Sequence, residues 1–520
     1  MTNSSGELKP TLGLVGITIN AMALIAPGAF LWTTYQLQAP PDSAKNMWAA
    51  IALATCIALL TANCYATLSK AYPEAGAGSS YYYTEAAILA KEEHKYFRLA
   101  RLAKFVTGWA AHLYYWVYPG IMISFMGTLI VYIGQLFNPD FASNWFSKAL
   151  ICFVFAALVG SIALIGVTGS TLINIIINIV QITSLTLLGL LMILYRLGHP
   201  NINYEHANAL SVVVPHDLIG LIYQATIAIL LLVGFESATA MAGEAVNPQR
   251  DIPRGVMLSL FIQACVCYFF EYFAANFFIG DQYTATVDGQ TVTGFAAALS
   301  SGAPIGDIAK ILGDTLLFGN GFLLQLIIAS TVVMALIGTA LSSLSTGVRI
   351  SYAMGKDREL PAVFGFLHGR YNTPHLGIYF LTGLSALIGA YAVQSVDNVT
   401  IVTLVSNIGT FMLYGLTCGV TLIATLEYLL NGECNPIKTV VIPALGLGMN
   451  LLMVCGIFYY GLTGTGNAKI NSITAIGISI AFFVAGFAYL IGDSLLKGKP
   501  IFLPSNVSHP LRDRISSSKF

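Results

Sequence analysis

The sequence predicts an all-α integral membrane fold of 12 transmembrane helices, with helices 1 and 6 discontinuous. Three observations carry this. Of 520 residues, 56% are hydrophobic and 9% charged, with a mean hydropathy of +0.74, whereas a soluble domain carries about a quarter charged residues. The charges withdraw from a series of intervals long enough to cross a bilayer, which takes roughly 20 apolar residues. Two of the apolar runs are interrupted near their middle by proline or glycine.

Intervals free of Asp, Glu, Lys and Arg run from Lys9 to Asp42 (helix 1), Lys45 to Lys70 (helix 2) and Lys104 to Asp140 (helix 3). The interval from Lys148 to Arg196 holds 47 residues, about 70 Å of helix at 1.5 Å per residue. It makes helices 4 and 5, with "GVTGS" (166–170) as the turn between them. Helices 8 to 12 follow from Asp314 to Arg349, Arg370 to Asp397, Asp397 to Glu427, Lys438 to Lys469 and Lys469 to Asp493. Helices 6 and 7 each enclose one carboxylate, Glu236 between Asp217 and Glu244 and Glu271 between Arg254 and Asp281.

Lys and Arg set the orientation. With an inside N-terminus, 19 of the 24 basic residues fall in inside segments, leaving Lys45, Lys148, Arg196, Lys310 and Lys469 outside. Both termini are therefore expected in the cytoplasm, in a multi-pass protein of the cell membrane. No cleavable signal is expected, since the first apolar run is a full span. The eight cysteines are scattered, with neither ligand spacing nor a disulfide framework. Zero net charge implies no nucleic-acid partner, and no cofactor motif is present. The inside segment 70–104 reads as a short amphipathic re-entry whose mixed charges form a solvated face. The outside segment at about 282–318 reads as a loop with short helices over the outer mouth.

Helix 1 carries Pro27-Gly28 within "INAMALIAPGAFLWTT" (19–34), and helix 6 carries Gly234 and Glu236 within "AILLLVGFESATAMAGEAV". Proline removes a backbone donor and glycine loosens the chain. Helix 1 runs inside to outside and helix 6 outside to inside. Paired interruptions in helices of opposite direction point to inverted repeats with a binding site at the midplane. Irregular backbone is tolerated at that depth only where it lines a cavity or is buried in protein. Close packing through small residues is the competing reading.

Four blocks then carry a resemblance to the amino acid–polyamine–organocation superfamily of secondary transporters. "LSKAYPEAGAGSSYYYTEAA" (68–87) is similar to the family's acidic and aromatic block after helix 2, and Gly108-Trp109 to its helix 3 opening. "GFESATAMAGEAVNPQRDIPRG" (234–255) and "YAMGKDRELP" (352–361) resemble the blocks at helix 6 and after helix 8. The resemblance implies a LeuT-like 5+5 inverted repeat plus two C-terminal helices. Residues 1–10 would form the cytoplasmic N-tail and 11–430 the transport core, with repeats at about 11–198 and 216–430. Helices 11 and 12 would occupy 437–496, and 497–520 the C-tail. The site it implies comprises Ile25, Ala26, Pro27, Gly28 and Ala29 in helix 1, and Gly234, Phe235, Glu236 and Ser237 in helix 6. Helix 6 carbonyls there would receive a substrate amine, and Phe235 would form an aromatic lid. The family's helix 1 break reads G-[SA]-G-I-F, but here it reads "APGAF" (26–30), and Pro27 has no N–H for a carboxylate. Either the carboxylate moves to Gly28 and Ala29, or an amine sits there. "YYWVYP" (114–119), with Tyr114 and Tyr118, resembles putrescine-type members but lacks their acidic residue.

Ionisable groups inside a membrane are functional candidates by default. Glu236 either staples the unwound segment or carries a proton. Glu271, in "CYFFEYFAANFF", is a candidate proton acceptor, or a neutral acid bonded to a neighbouring helix. His112 is a candidate relay or a structural histidine. The resemblance places Gln181 where some members carry a coupling lysine, and glutamine cannot titrate. Thr339, Ser342 and Ser343 offer oxygens suited to sodium, or bond to their own helix. The expected function is a secondary active permease for an amino acid, polyamine or related small organic amine, most simply by proton-coupled symport. An exchanger, a sodium-coupled carrier and a transporter-like nutrient receptor are the alternatives. An enzyme is excluded on sequence, since no HExxH, GxSxG or clustered nucleophile occurs.

Overall fold

A backbone in hydrocarbon must satisfy its own N–H and C=O groups, so the charge-free intervals fold predominantly as helix among the described residues. The computed structural model describes residues 12–25, 27–73, 75, 79–89, 97–165, 171–287, 289–368, 373–430 and 435–497. Ten helices among them are long and apolar enough to cross a membrane. They are Met47–Ala71 (helix 2), Arg98–Phe137 (helix 3), Trp145–Ile165 (helix 4), Asn174–Gly198 (helix 5) and Pro248–Phe278 (helix 7). Gly321–Lys356, His375–Ala392, Val396–Thr425, Ile437–Thr463 and Gly466–Leu496 are helices 8 to 12. Shorter apolar helices, Leu14–Leu24 and Leu218–Leu231, stand in the places of helices 1 and 6.

Helix 10 forms the centre of the packing and helix 12 its margin. In the most apolar stretch of each, 89% of helix 10 is buried by protein against 17% of helix 12. Association in lipid relies on close packing, so small residues sit where backbones meet. A Cβ at Gly409 of helix 10 would lie 2.6 Å from the Tyr114 nitrogen of helix 3.

Helix 7 contains a π-helical segment, Gln263–Phe269. Such bulges redirect side chains and concentrate at functional sites. Gln263 donates from here to the Met22 carbonyl of helix 1 at 2.8 Å, and Trp48 of helix 2 donates to the Phe269 carbonyl at 2.9 Å. Before helix 1, Leu12 is paired with the segment after helix 6. Its N–H donates to the Glu244 carbonyl, and its carbonyl accepts from Val246, both at 2.9 Å.

Two segments correct the sequence reading. The outer segment holds the expected short helices, Gly294–Ser300 and Pro304–Leu316, but also an antiparallel hairpin, Thr284–Val287 with Gln290–Thr293. The charges of 70–104 form a solvated face only in part where they are described: Lys70 and Arg98 are exposed, but Lys104 is fully buried. Lys104 contacts Glu85 of the short helix Ser80–Leu89 and reaches Asp357 Oδ2 beyond helix 8 at 2.7 Å. Arg101 lies 3.5 Å from Glu85 and 3.9 Å from Glu359. The Tyr81 hydroxyl is 3.0 Å from both Asp357 and Glu359. The turn expected at 166–170 lies outside the described residues.

Candidate functional site

Helix 6 is interrupted. Its first part, Leu218–Ala228, tightens into the 3-10 turn Ile229–Leu231, and helix resumes only at Ser237–Ala240. Gly234 lies between them with φ +119, a conformation that side-chain-bearing residues rarely adopt. A Cβ at Gly234 would lie 2.9 Å from Cγ of Leu24, so the interruption meets helix 1 almost backbone to side chain.

Glu236 organises this loop. Its Oε2 accepts from the Gly234 N–H at 3.0 Å and the Tyr414 hydroxyl of helix 10 at 2.8 Å. Its Oε1 accepts from the Tyr115 hydroxyl of helix 3 at 2.7 Å. Three donors satisfy the carboxylate, the condition for tolerating one at this depth. The arrangement joins helices 3, 6 and 10. Phe235 is fully buried between Tyr65 of helix 2 and Tyr414, with ring centroids 6.0 and 5.3 Å away. Tyr65 accepts from the Ser80 hydroxyl at 2.6 Å.

Tyr114 and Tyr118 are both buried beside this cluster. Tyr114 packs 4.1 Å from Tyr115 and 5.2 Å from Tyr118, and its hydroxyl meets no partner. Tyr114, Tyr118, Gly234, Phe235, Glu236 and Ser237 thus gather at one locus. Of the helix 1 residues, Ala26 lies outside the described residues. Ile25 ends helix Leu14–Ile25 and Pro27, Gly28 and Ala29 lie in helix Pro27–Gln38. Tyr115 and Tyr414, which hold Glu236, escaped sequence reading. The tyrosine run of helix 3 was the available signal for the first. Nothing local marks Tyr414, because its role is set by helix 10 crossing helix 6.

The coupling candidates sit on helices 3, 5, 7 and 8. Both carboxylate oxygens of Glu271 are buried without a hydrogen-bond partner, beside Gly189 of helix 5. His112 is engaged at both ring nitrogens, with the Gly108 carbonyl at 2.7 Å and the Ser351 hydroxyl of helix 8 at 2.9 Å. Gln181 is buried in helix 5, where Asn174 donates to Asn20 of helix 1 at 2.6 Å. The single hydroxyl hydrogen of Thr339 is shared between the Ala335 carbonyl at 3.0 Å and the Ala23 carbonyl at 3.3 Å, and Ser343 donates to Ala340 at 3.0 Å. Ser342 is half-buried one residue before it. Of the carbonyls that the end of the first part of helix 1 orphans by geometry, those of Met22 and Ala23 are therefore met by donors from helices 7 and 8.

Residues 11–482 match the family described as Amino acid permease. The low-affinity putrescine importer PlaP of Escherichia coli (strain K12) is 25% identical over 416 residues, covering 78% of this chain and 79% of that protein. The branched-chain amino acid permease BcaP of Bacillus subtilis (strain 168) is 22% identical over 402 residues, covering 75% and 76%. The glutamate/serine transporter AimA of the same bacterium is 31% identical over 147 residues, covering 28% of this chain and 24% of that protein.

Proposed function

The chain belongs to the amino acid permease family, and from that premise we propose that it is a proton-coupled secondary transporter of an amino acid or small organic amine. It is a multi-pass membrane transporter, not an enzyme. In the proposed architecture the two interrupted helices belong to inverted repeats at about 11–198 and 216–430. Helices 11 and 12 (437–496) lie outside the repeats, and both tails (1–10 and 497–520) are cytoplasmic. The membrane is the cell membrane.

The observation that carries this reading is the interruption of helix 6 at Gly234–Glu236 against Leu24 of helix 1. Unwound backbone between two helices supplies unpaired carbonyls and N–H groups to a substrate. Phe235, Tyr114 and Tyr118 surround the place. Glu236 acts there as a staple, since both its oxygens are engaged. The Met22 and Ala23 carbonyls already accept from Gln263 and Thr339, which favours a proton over sodium as the coupling ion. Glu271, partnerless in its helix, is the group best suited to carry it.

Alternating access exposes the site to one side at a time. The buried contacts among Tyr81, Glu85, Arg101, Lys104, Asp357 and Glu359 would close the cytoplasmic side. Uptake into proteoliposomes with and without an imposed pH gradient tests the reading. Uptake driven by an inward proton gradient is expected, and uptake indifferent to the gradient overturns proton symport. The relatives' names include putrescine, branched-chain amino acids, glutamate and serine, so the panel contains all of these.

A further inference from the structure

A cavity of about 240 Å³ opens at the end of the molecule opposite the Lys104 cluster. Helix 1 contributes Thr33 and Gln36, helix 3 Tyr132 and Gln135, helix 4 Lys148, and the helix 9–10 turn Gln394. Its volume is just under the roughly 300 Å³ at which small-molecule pockets begin, which suits one small metabolite. In the orientation proposed above, it faces outward.

The chemistry of the lining is one-sided. Lys148 forms no ion pair or side-chain hydrogen bond with any described residue. Thr33 is 2% exposed and its hydroxyl has no partner. No carboxylate lines the cavity. Asp307 stands one hydrogen bond behind Tyr132, and its oxygens are taken by the hydroxyls of Tyr132, Tyr283 and Ser301. The amide nitrogen of Gln36 is spent on the Leu299 carbonyl, and that of Gln394 on the Trp145 and Ala390 carbonyls. Each glutamine therefore keeps its side-chain oxygen as an acceptor.

We propose that this cavity is an outer docking site for the carboxylate of an amino-acid substrate, with Lys148 as its anion partner and Thr33 as a hydroxyl donor. The ammonium group of the zwitterion is received by the oxygens of Gln36 and Gln394. A diamine finds one positive charge and no counter-charge here, and the carboxylate deeper in, Glu236, is already bound by three donors. The inference rests on the transporter reading and sharpens it: the substrate bears a carboxylate.

The test uses the full-length purified protein and radiolabelled L-leucine, L-serine, L-glutamate and putrescine as probes. At least one amino acid should bind and putrescine should not. Lys148→Gln should weaken that binding roughly fivefold, as loss of one partly screened ion pair does, and Lys148→Arg should restore it. Raising salt should weaken wild-type binding and leave Lys148→Gln unmoved. Lys45→Gln, an outer charge that does not line the cavity, should bind as wild type. The proposal is overturned if putrescine alone binds, if none of the four binds, or if Lys148→Gln binds as tightly as wild type. Flux separates the two readings. Lys148-dependent binding without uptake into proteoliposomes refutes the transporter and keeps the docking site, whereas uptake indifferent to Lys148 does the reverse.

Discussion

The hydroxyl of Tyr414 lies 2.8 Å from Oε2 of Glu236, joining helix 10 to the unwound centre of helix 6. The bond turns an isolated carboxylate into a fixed point between moving parts. Tyr414→Phe leaves one oxygen with a single donor. A lost hydrogen bond to a buried charged group costs about 1.5–3 kcal/mol. Thermal melting of the purified protein should fall accordingly, and Glu236→Gln should be worse, because an amide nitrogen would face donors. A Tyr414→Phe protein melting and transporting as wild type would remove Glu236 from this role.

Gly234→Ala should abolish transport while the protein still reaches the membrane. The substitution forces a side chain at φ +119 and brings its Cβ to 2.9 Å from Leu24. Strain of this kind costs about 1–3 kcal/mol. Adding Leu24→Ala should relieve the contact but not the backbone, so rescue should be partial. Complete rescue would show that the clash alone matters.

Sodium replacement by choline should leave uptake unchanged. Thr339→Val removes the donor to the Ala23 carbonyl and should cost about 1 kcal/mol of stability, the worth of an ordinary hydrogen bond. It should not create sodium dependence. A sodium requirement in the wild-type protein would reassign Thr339, Ser342 and Ser343.

Glu271→Gln should uncouple uptake from the pH gradient while sparing exchange of labelled for unlabelled substrate. The amide mimics the protonated acid and cannot release a proton. Gradient-driven accumulation surviving the change would exclude Glu271 as the carrier.

The inner closure should depend on pH through Glu359, which lies beyond the end of helix 8. Burial, with Asp357 adding to it, outweighs Lys104, Arg101 and the Tyr81 hydroxyl and holds its carboxyl up at about 7, from an ordinary 4.5. A raised carboxyl means that the closed state holds the proton. Its contribution to closure is complete below about 4.5 and is lost as pH rises through about 7. Accessibility of a cysteine placed behind the closure should therefore rise between these values. Glu359→Gln should flatten the slope.

The helices were legible in the sequence because hydrocarbon excludes charge over whole turns, and that pattern needs no tertiary information. The helix 6 interruption was legible for the same reason, as Gly234 and Glu236 break an apolar run. Partnerships across helices were not. Nothing near Tyr414 or Tyr115 says that they share Glu236, and Lys104 beside Arg101 reads as solvated until Glu85 folds back on it and Asp357 arrives from beyond helix 8. The Thr284–Val287 hairpin was hidden by an outer segment whose composition suits any loop.

The pairing of Leu12 with Glu244 and Val246 makes a lever of the chain's first helix. Two backbone bonds fasten its inner end to the trailing end of helix 6. Neither half-helix can pivot alone without breaking both. The inner end of helix 1 and the segment that follows helix 6 are thus yoked like the blades of one pair of shears, so that a displacement of either is delivered to the other.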